Sequence, residues 1–427
     1  MTDLRIPRGQ TATLDRVDGH LRIGNHATVQ TSNGENVVVT GRVYLEGKAY
    51  VNGNLECDSV ESESFLSEHR EINVGGQRAR LDLIGRYTHL EVNGNLTVHK
   101  QLSVSHSVEV KGAITASDID VGGKIEADAV KCSRIRVGGR TEVKGMFEAE
   151  SVDVGGKVEA GPVKIGDLNV GGEAEVDGGS ITGNIRVGGR FISKSKLEFG
   201  ELLVYGKGAL AGGSKGRKVS AFGKLEADGD LISDVIEAGG IIEIKGDCHA
   251  QHVEIGGKLE VSGSLYVSER IEGVGSAEVE GNVETAHLKV SGKLEADRIT
   301  AKEDADVSGK IEVDHGLKAA QVTVRSGSRC EGVLIGERVE VGKSADLSYG
   351  GWGKWGVGAM TRVDDIYAKE AIIGAMSTAG RIFANKITLE QSSSAWQVTY
   401  TDELKIAQGA GVSEQPRKVE NLPKSPF

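Results

Sequence analysis

One complete repeat lies in residues 121 to 140, which read VGGKIEADAVKCSRIRVGGR. The phrase Val-Gly-Gly followed by Lys or Arg begins at Val121, Val137, Val154 and Val187. The second glycine of this phrase and of its looser copies marks the repeat at Gly123, Gly139, Gly156, Gly172, Gly189, Gly206, Gly223, Gly240, Gly257, Gly275, Gly292 and Gly309. The spacing is 16 to 18 residues, about 16.9 on average. Such a short period indicates one coil of a β-solenoid.

Apolar and charged residues alternate between the markers with a period of two. In Lys124-Ile125-Glu126-Ala127-Asp128, Ile125 and Ala127 fall on one side and the charged residues on the other. This alternation predicts three short strands and three tight corners in each coil, with glycine at the corners because it accepts positive φ and sharp bends. We therefore expect an all-β, single-stranded β-helix with triangular coils of about 17 residues.

The repeat predicts four segments. They are a flexible N-terminal tail at 1–10, a β-helix at 11–349 that is most regular at 120–345, degenerate coils or a cap at 350–405, and a disordered C-terminal tail at 406–427. About 23 coils stacked ~4.8 Å apart predict a rod of about 110 Å.

Two irregular stretches interrupt the predicted solenoid. A polar excursion is expected at Glu61 to Arg70, and all three tryptophans, Trp352, Trp355 and Trp396, follow the regular repeat. The glycine-rich run at 350–356 breaks the period of the repeat. We expect the segment after it to close or cap the solenoid.

The composition excludes several classes of protein. The net charge is -11, so no basic field attracts a phosphate backbone, and nucleic-acid binding is not expected. The four cysteines are single and widely spaced, which favours free thiols in the cytoplasm over a secreted disulfide framework. The first residues, MTDLRIPRGQ, have no apolar stretch, and no segment approaches the ~18 apolar residues of a spanning helix. Nothing in the sequence therefore indicates membrane association.

Three groups of residues resemble ligand sites. Cys248, His249 and His252 could ligate zinc, but alternation sends neighbouring side chains to opposite faces. The loops Gly342-Lys343-Ser344 and Gly206-Lys207-Gly208 resemble phosphate-binding loops, yet neither has a strand-loop-helix context and repeat glycines account for the second. The sequence predicts no metal, no cofactor and no catalytic residues.

Carboxylates recur at one position of the repeat. They are Glu126, Glu142, Glu159, Glu175, Glu226, Glu243, Glu260, Glu278, Glu295 and Glu312. A cationic row precedes them by two residues and consists of Lys124, Arg140, Lys157, Arg190, Lys207, Lys224, Lys258, Lys293 and Lys310, with breaks at Glu173 and Ile241. An active site would be a local exception, so this regular pattern does not favour an enzyme. We expect the two rows to screen each other and to oppose lateral aggregation.

Aromatic platforms of the kind found in polysaccharide-cleaving β-helices are scarce. Residues 120 to 345 contain six aromatics, which are Phe147, Phe191, Phe199, Tyr205, Phe222 and Tyr266. The terminal coils of a solenoid, by contrast, expose unpaired backbone groups and an apolar cross-section. We therefore predict self-association through the N-terminal coils, and through the C-terminal coils as a second route.

The sequence pattern of the repeat resembles that of the bactofilins, which are polymer-forming cytoskeletal proteins. The resemblance is carried by Ile119-Asp120-Val121-Gly122-Gly123-Lys124-Ile125-Glu126-Ala127 and by Val290-Ser291-Gly292-Lys293-Leu294-Glu295-Ala296. It implies a right-handed triangular β-helix with short disordered ends, and filaments that form through the terminal coils without nucleotide. The predicted solenoid is several times longer than a usual bactofilin core.

The sequence leaves three functional hypotheses. The first is a structural, bactofilin-like scaffold or filament of the cytoplasm, with copies of itself as the main partner and other protein partners in addition. The second is a monomeric rod that acts as a spacer or binds a partner. The third and least favoured is a β-helical carbohydrate-active enzyme or acyltransferase. Left-handed acyltransferase helices keep six-residue repeats near multiples of 18, and the period of about 17 residues in this sequence disfavours them.

Overall fold

A computed structural model describes residues 3–62, 71–74, 77–80, 88–343 and 360–426. These residues form strands, turns and bends, and none of them is helical. Parallel strands stack in successive coils to give a β-solenoid of about 22 turns with ~17 residues per turn. The predicted all-β solenoid is confirmed.

The chain divides into two compact units, Met1–Gly200 and Glu201–Phe427. The strands of the first unit are β1 (Leu4–Ile6), β2 (Thr11–Thr13), β3 (Arg16–Val17), β4 (Leu21–Ile23), β5 (Ala27–Gln30), β6 (Asn36–Leu45), β7 (Lys48–Asn52), β8 (Asn54–Ser62), β9 (Glu71–Val74), β10 (Gln77–Arg80), β11 (His89–Val92), β12 (Leu96–Val104), β13 (Ser107–Val121), β14 (Lys124–Val137), β15 (Arg140–Val143), β16 (Phe147–Val154), β17 (Lys157–Ala160), β18 (Val163–Val170), β19 (Glu173–Val176), β20 (Gly179–Val187) and β21 (Arg190–Ser193). Strand β22 (Leu197–Val204) begins in the first unit and ends in the second.

The second unit contains longer strands toward its C-terminal end. Its strands are β23 (Lys207–Ala211), β24 (Ser214–Ala221), β25 (Lys224–Asp228), β26 (Leu231–Ala238), β27 (Ile241–Ile244), β28 (Cys248–Ile255), β29 (Lys258–Val261), β30 (Leu265–Gly273), β31 (Ser276–Val290), β32 (Lys293–Val307), β33 (Lys310–Arg325), β34 (Arg329–Lys343), β35 (Thr361–Ile373), β36 (Ser377–Leu389), β37 (Ser394–Ile406), β38 (Gly411–Val412) and β39 (Arg417–Lys418).

Each coil has three faces, which β14 shows in one strand. Face 1 contains Lys124–Ala127, face 2 contains residues 130–132 and face 3 contains residues 134–137. Each face pairs in parallel with the same face of the next coil, as Ile125 does with Thr141 and Ile135 with Val152. The alternation of apolar and charged residues therefore produces three stacks of inward side chains, which form a narrow apolar core.

Close contact between successive coils explains the marker glycines better than backbone conformation does. The sequence predicts glycine at the corners because glycine accepts positive φ, but none of the marker glycines has a positive φ. A Cβ on Gly257 would instead lie well inside van der Waals contact with the carbonyl oxygen of Gly240 in the preceding coil. The same overlap would occur between Gly156 and Gly139. Glycine is needed because the coils approach too closely for a side chain.

The position before each marker glycine behaves differently in the two units. In the first unit a Cβ on Gly171 would lie 2.6 Å from the carbonyl oxygen of Gly155, so this position also requires glycine. In the second unit a Cβ on Gly256 would lie 3.8 Å from the nearest atom, the Ala238 oxygen, which is ordinary contact. The wider corner explains why the second unit carries Tyr205, Phe222, Val274, Ser291 and Ser308 at this position.

Both predicted tails contain strands. Within the expected flexible tail at 1–10, β1 pairs with β4, so the first described coil begins at Leu4 and not at residue 11. Within the expected disordered tail at 406–427, β38 and β39 pair with β37. Composition alone missed these strands because the edge of a coil offers backbone partners even to polar segments.

The two irregular stretches of the sequence lie largely outside the described residues. The expected excursion at Glu61–Arg70 falls mainly on residues 63–70, outside the described residues, and is followed by an antiparallel hairpin of β9 and β10. The solenoid resumes at β11, which pairs with β7. Trp352 and Trp355 also lie outside the described residues. Within the segment predicted at 350–405, residues 361–406 form regular coils of parallel strands β35, β36 and β37.

The corner geometry predicts opposite effects for two adjacent glycines. Gly257→Ala should lower the free energy of unfolding by about 2 kcal/mol, because the new methyl group must push two coils apart. Gly256→Ala should be neutral or slightly stabilising, because the space is open and alanine restricts the unfolded chain. Urea unfolding of both variants measures the difference. Equal losses in the two variants would show that the coil-to-coil contact does not select the marker glycine.

A second prediction concerns a hydroxyl in the core. Thr141 is completely buried between Ile125 and Val158 in the face 1 stack, and its Oγ1 has no hydrogen-bond partner in the described structure. Thr141→Val should therefore raise the free energy of unfolding by about 1 kcal/mol. The exposed Thr115 provides the control, because Thr115→Val changes the same groups without relieving a buried hydroxyl. Chemical denaturation in which both variants gain equally would contradict this explanation.

Candidate functional site

The glutamate and cation rows lie together on the outside of face 1. Lys157 Nζ is 2.6 Å from Oε1 of Glu159 in its own coil and 3.3 Å from Oε2 of Glu173 in the next. Lys224 bridges Glu226 at 2.7 Å in its own coil and Glu243 at 2.9 Å in the next, both in the glutamate row, whereas Glu173 occupies a position of the cationic row. The structure therefore brings the two predicted rows together as cross-coil ion pairs, each between partly exposed side chains.

These contacts favour the charged forms of both partners. Hydrogen bonds from Lys157 and then Arg140 lower the pKa of Glu159 below its ordinary value of 4.5. The hydrogen bond to Glu159 raises the pKa of Lys157 above 10.5. A lowered acid pKa contributes stability above pH 4.5 that is lost as the pH falls through the folded-state value. The raised lysine pKa contributes stability below pH 10.5 that is lost as the pH rises further.

Glu159→Gln tests this electrostatic contribution. We expect a loss of about 0.5 kcal/mol in the free energy of unfolding at about pH 7, kept small because solvent screens exposed pairs. The loss should shrink as the pH falls below 4.5 toward the lowered pKa of Glu159, because protonation removes the charge that the substitution removes. Glu150→Gln is the control, because Glu150 is exposed and makes no ion pair in the described structure. Denaturation curves showing an undiminished loss in acid would contradict the electrostatic origin.

Acidic side chains of the second unit line a groove on its surface. The groove has a volume of about 910 Å³ and lies between the row Glu260, Glu278, Glu295, Glu312 and Glu331 and a shorter row of Glu280, Asp297 and Asp314. Lys258 and Lys293 contact the first row from one side. Among the described residues no three His, Cys, Asp or Glu side chains are arranged to hold a metal ion. The groove repeats the pattern of face 1.

The three residues with metal-ligand chemistry do not converge. Cys248 is buried in the core, while His249 points outward and stacks on Tyr266 with ring centroids 4.8 Å apart. The Nε2 of His252 lies 3.0 Å from Glu269 on face 3. Alternation along β28 separates the Cys248 thiol from His249, and the corner after Ala250 places His252 on the next face.

The cysteines are held in an unreactive form. Cys57, Cys132, Cys248 and Cys330 are all buried free thiols. Burial, with a smaller contribution from nearby carboxylates, raises the pKa of each thiol to about 12. Because the thiolate is the reactive species, none of the four is suited to nucleophilic chemistry.

The two segments that resemble phosphate-binding loops belong to coils of the solenoid in their described residues. Gly208 lies in the core stack of face 1, where a Cβ would lie 2.6 Å from Leu225. Lys343 ends β34 and pairs with Glu340 at 3.0 Å, and Ser344 lies outside the described residues. Among the described residues no helix begins beside either lysine, whereas a phosphate site of this type places backbone N–H groups at a helix start.

The sequence pattern did not single out an exposed ridge at the corner of the second unit. Tyr205 and Phe222 stack with ring centroids 5.7 Å apart and remain 57% and 62% exposed. Val274 is 73% exposed at the same corner position. Their signal in the sequence is the replacement of the first corner glycine by a large apolar residue.

The first described coil has an open edge. Strands β1, β2 and β3 each pair with one strand only in the described structure, namely β4, β5 and β6. These three strands occupy all three faces of the coil. Leu4 is 38% exposed at this end, although it continues an inward stack with Leu21. Backbone edges and apolar surface are therefore presented together.

The last complete coil, formed by β37, is partly covered. Strand β38 pairs with its face 1 and β39 with its face 2, while Glu403–Ile406 on face 3 has no strand beyond it in the described structure. Ile406 is 46% exposed, whereas Leu389 in the preceding coil of the same stack is completely buried. The two ends thus differ in how much of their edge is available.

Comparison of the chain with protein-family models, curated proteins and solved structures finds no match. Within the described residues no helix has the length and apolarity to cross a membrane. The candidate site therefore depends on the chain's own geometry, in which the open edges of the terminal coils are the strongest exception to the repeat.

Proposed function

We propose that this protein is a structural, bactofilin-like cytoskeletal protein that assembles end to end, without nucleotide, into filaments or scaffolds. The first coil carries the proposal. Its three strands present backbone groups toward a side on which the described structure has no strand, and Leu4 adds exposed apolar surface. Such an edge is a template for pairing with another chain.

The long faces support assembly at the ends over assembly at the sides. Face 1 is covered by alternating lysines and glutamates that already satisfy one another, such as Lys224 with Glu226 and Glu243. Bringing two such faces together would place like charges side by side and strip their water. Association between two copies of face 1 is therefore less favourable than association at the ends of the solenoid.

A non-enzymatic role in the cytoplasm fits the remaining chemistry. The carboxylates of face 1 recur in successive coils of the clean repeat, apart from Ile192 and Ala209 at the same position, and they pair with basic residues such as Lys157 and Lys224, which favours a structural role for them. The four cysteines are free and buried, which suits a reducing compartment. The proposal requires no metal or nucleotide.

A monomeric spacer or partner-binding rod is the second candidate. It is favoured by the polar segment that covers two faces of the last coil, because a covered end opposes head-to-tail growth. The two candidates differ in solution mass, since a spacer stays at 45.0 kDa at every concentration.

Thr13→Pro tests the open edge of the first coil. Leu14 N–H donates to the Gln30 oxygen of the next coil, and N–H groups alternate in direction along a strand, so the Thr13 N–H points to the open side. Proline removes that donor without removing a bond between coils. We expect the association constant of the native protein, measured by light scattering over a micromolar concentration series, to fall at least about tenfold.

Thr13→Val is the matched control. It removes the same side-chain contact, in which Gln30 Nε2 donates to Thr13 Oγ1 at 3.0 Å, but keeps the backbone N–H. The control should associate like the native protein. Native protein that remains at 45.0 kDa throughout the series would overturn the assembly proposal in favour of the spacer. Equal weakening in both variants would exclude the backbone edge as the contact.

A further inference from the structure

The segment after β37, residues 407–426, is bound to the last coil by its backbone. Gly411 N–H donates to the Ser393 oxygen at 3.0 Å and Val419 N–H donates to the Tyr400 oxygen at 2.9 Å. Between them, Ser413 and Glu414 donate to the oxygens of Ala395 and Trp396 at 3.0 and 2.9 Å. We call this segment the C-terminal cover.

The C-terminal cover satisfies the coil but offers a poor edge of its own. Its two strands, β38 and β39, are only two residues long. Pro416 lies between them, and Pro423 and Pro426 follow, and none of these prolines has an N–H to donate to a further strand. Short strands and prolines are means by which proteins block edge-to-edge pairing. Growth by pairing on faces 1 and 2 therefore stops at the cover.

On face 3 the edge of the last coil is not paired with the C-terminal cover in the described structure. Glu403–Ile406 continues the stack of Ile373 and Leu389, both of which are completely buried by the coil beyond them. Ile406 has no such coil and is 46% exposed, and Leu404 is only half-buried. The occupant that this stack fits is another coil of the same width with an inward Leu or Ile at each position.

A second copy of this chain offers such a coil at its first strands. Leu4, Arg5 and Ile6 of β1 lie on face 3, the face to which Leu404, Lys405 and Ile406 belong, with the same order of inward, outward and inward side chains. Faces 1 and 2 of the last coil cannot accept strands from that copy while β38 and β39 occupy them.

We propose that the C-terminal cover competes with a second copy of this chain for the edge of the last coil, and so limits assembly at this end. This inference rests on the proposed end-to-end assembly. The cover is tethered to the coil that it binds, which gives it an effective concentration of about millimolar. A free copy at micromolar concentration cannot displace it on faces 1 and 2. Release of the cover completes the edge on all three faces.

The consequence is a limit on the size of the assemblies. With the last coil covered, copies join only through their first coils, and a contact between two identical patches closes as a pair. With the cover released, both ends of each copy are active, and a chain of copies grows without closing. The cover therefore decides between pairs and filaments.

The test is the full-length double variant Gly411→Pro with Val419→Pro. It removes the N–H donors to Ser393 and Tyr400 and leaves the coils intact. The matched control is Gln415→Pro with Glu420→Pro, because neither residue donates a backbone hydrogen bond in the described structure. Hydrogen exchange of the Ser413 and Glu414 amides reports whether the cover is released, and exchange in β36 reports whether the solenoid remains folded.

Light scattering over a micromolar concentration series gives the decisive readout. We expect the released variant to reach a mean mass at least about fivefold above that of the control, with filaments in electron micrographs. A released cover with the same mass as the control overturns the inference. If the cover stays protected, Ser413→Pro is added to remove the donor to Ala395, and the same criterion applies.

The two proposals can fail separately. Native protein that stays monomeric while the released variant associates would overturn pairing between two first coils and leave the role of the cover standing. Native protein that forms pairs which Thr13→Pro abolishes, together with a released variant that forms nothing larger, would leave the first-coil contact standing and overturn the role of the cover.

Discussion

Backbone pairing between successive coils is the interaction on which the rest of the structure depends. The pairing fixes the distance between coils, and at the corners that distance leaves no room for a side chain between Gly257 and the oxygen of Gly240. A side chain forced in at this corner would separate the coils on all three faces, because each face shares the same closed turn. The period of the repeat is thus a consequence of backbone contact, and the apolar stacks follow from it.

The inward stacks could be predicted because alternation with a period of two leaves one apolar side, as Ile125 and Ala127 show. The reason for the corner glycines could not be predicted, since tolerance of positive φ and lack of space for a Cβ both select glycine. The ordered ends were missed for another reason. Residues 411–419 are polar and surround a proline, and their order comes from the carbonyl groups of Ser393 and Tyr400, which no local pattern reveals.

The candidate site, which is the open edge of a terminal coil, is also hard to predict because no local sequence pattern reveals it. An edge is made of backbone groups, which every residue except proline possesses in the same form. Side-chain chemistry, where it is abundant, turns out to be repetitive: Glu159 and Glu226 lie in equivalent positions and each pairs with a lysine. In the described structure the first coil has no strand on one side and the last coil is only partly covered, and only the stacking of the coils makes this visible.

Specific recognition in such a solenoid must use the positions that stacking leaves free. Inward positions are limited to residues that fill the core, and the marker position to glycine. In the second unit the first corner position is free, and there Tyr205 stacks on Phe222, whose ring lies 3.3 Å from the place that a Cβ of Gly239 would take. The aromatic side chains thus cover exposed glycine backbone as well as each other. Where Gly171 stacks on Gly155 in the first unit, the corresponding corner is too narrow for a side chain, so the difference in surface chemistry between this corner and those of the second unit follows from a difference in backbone spacing.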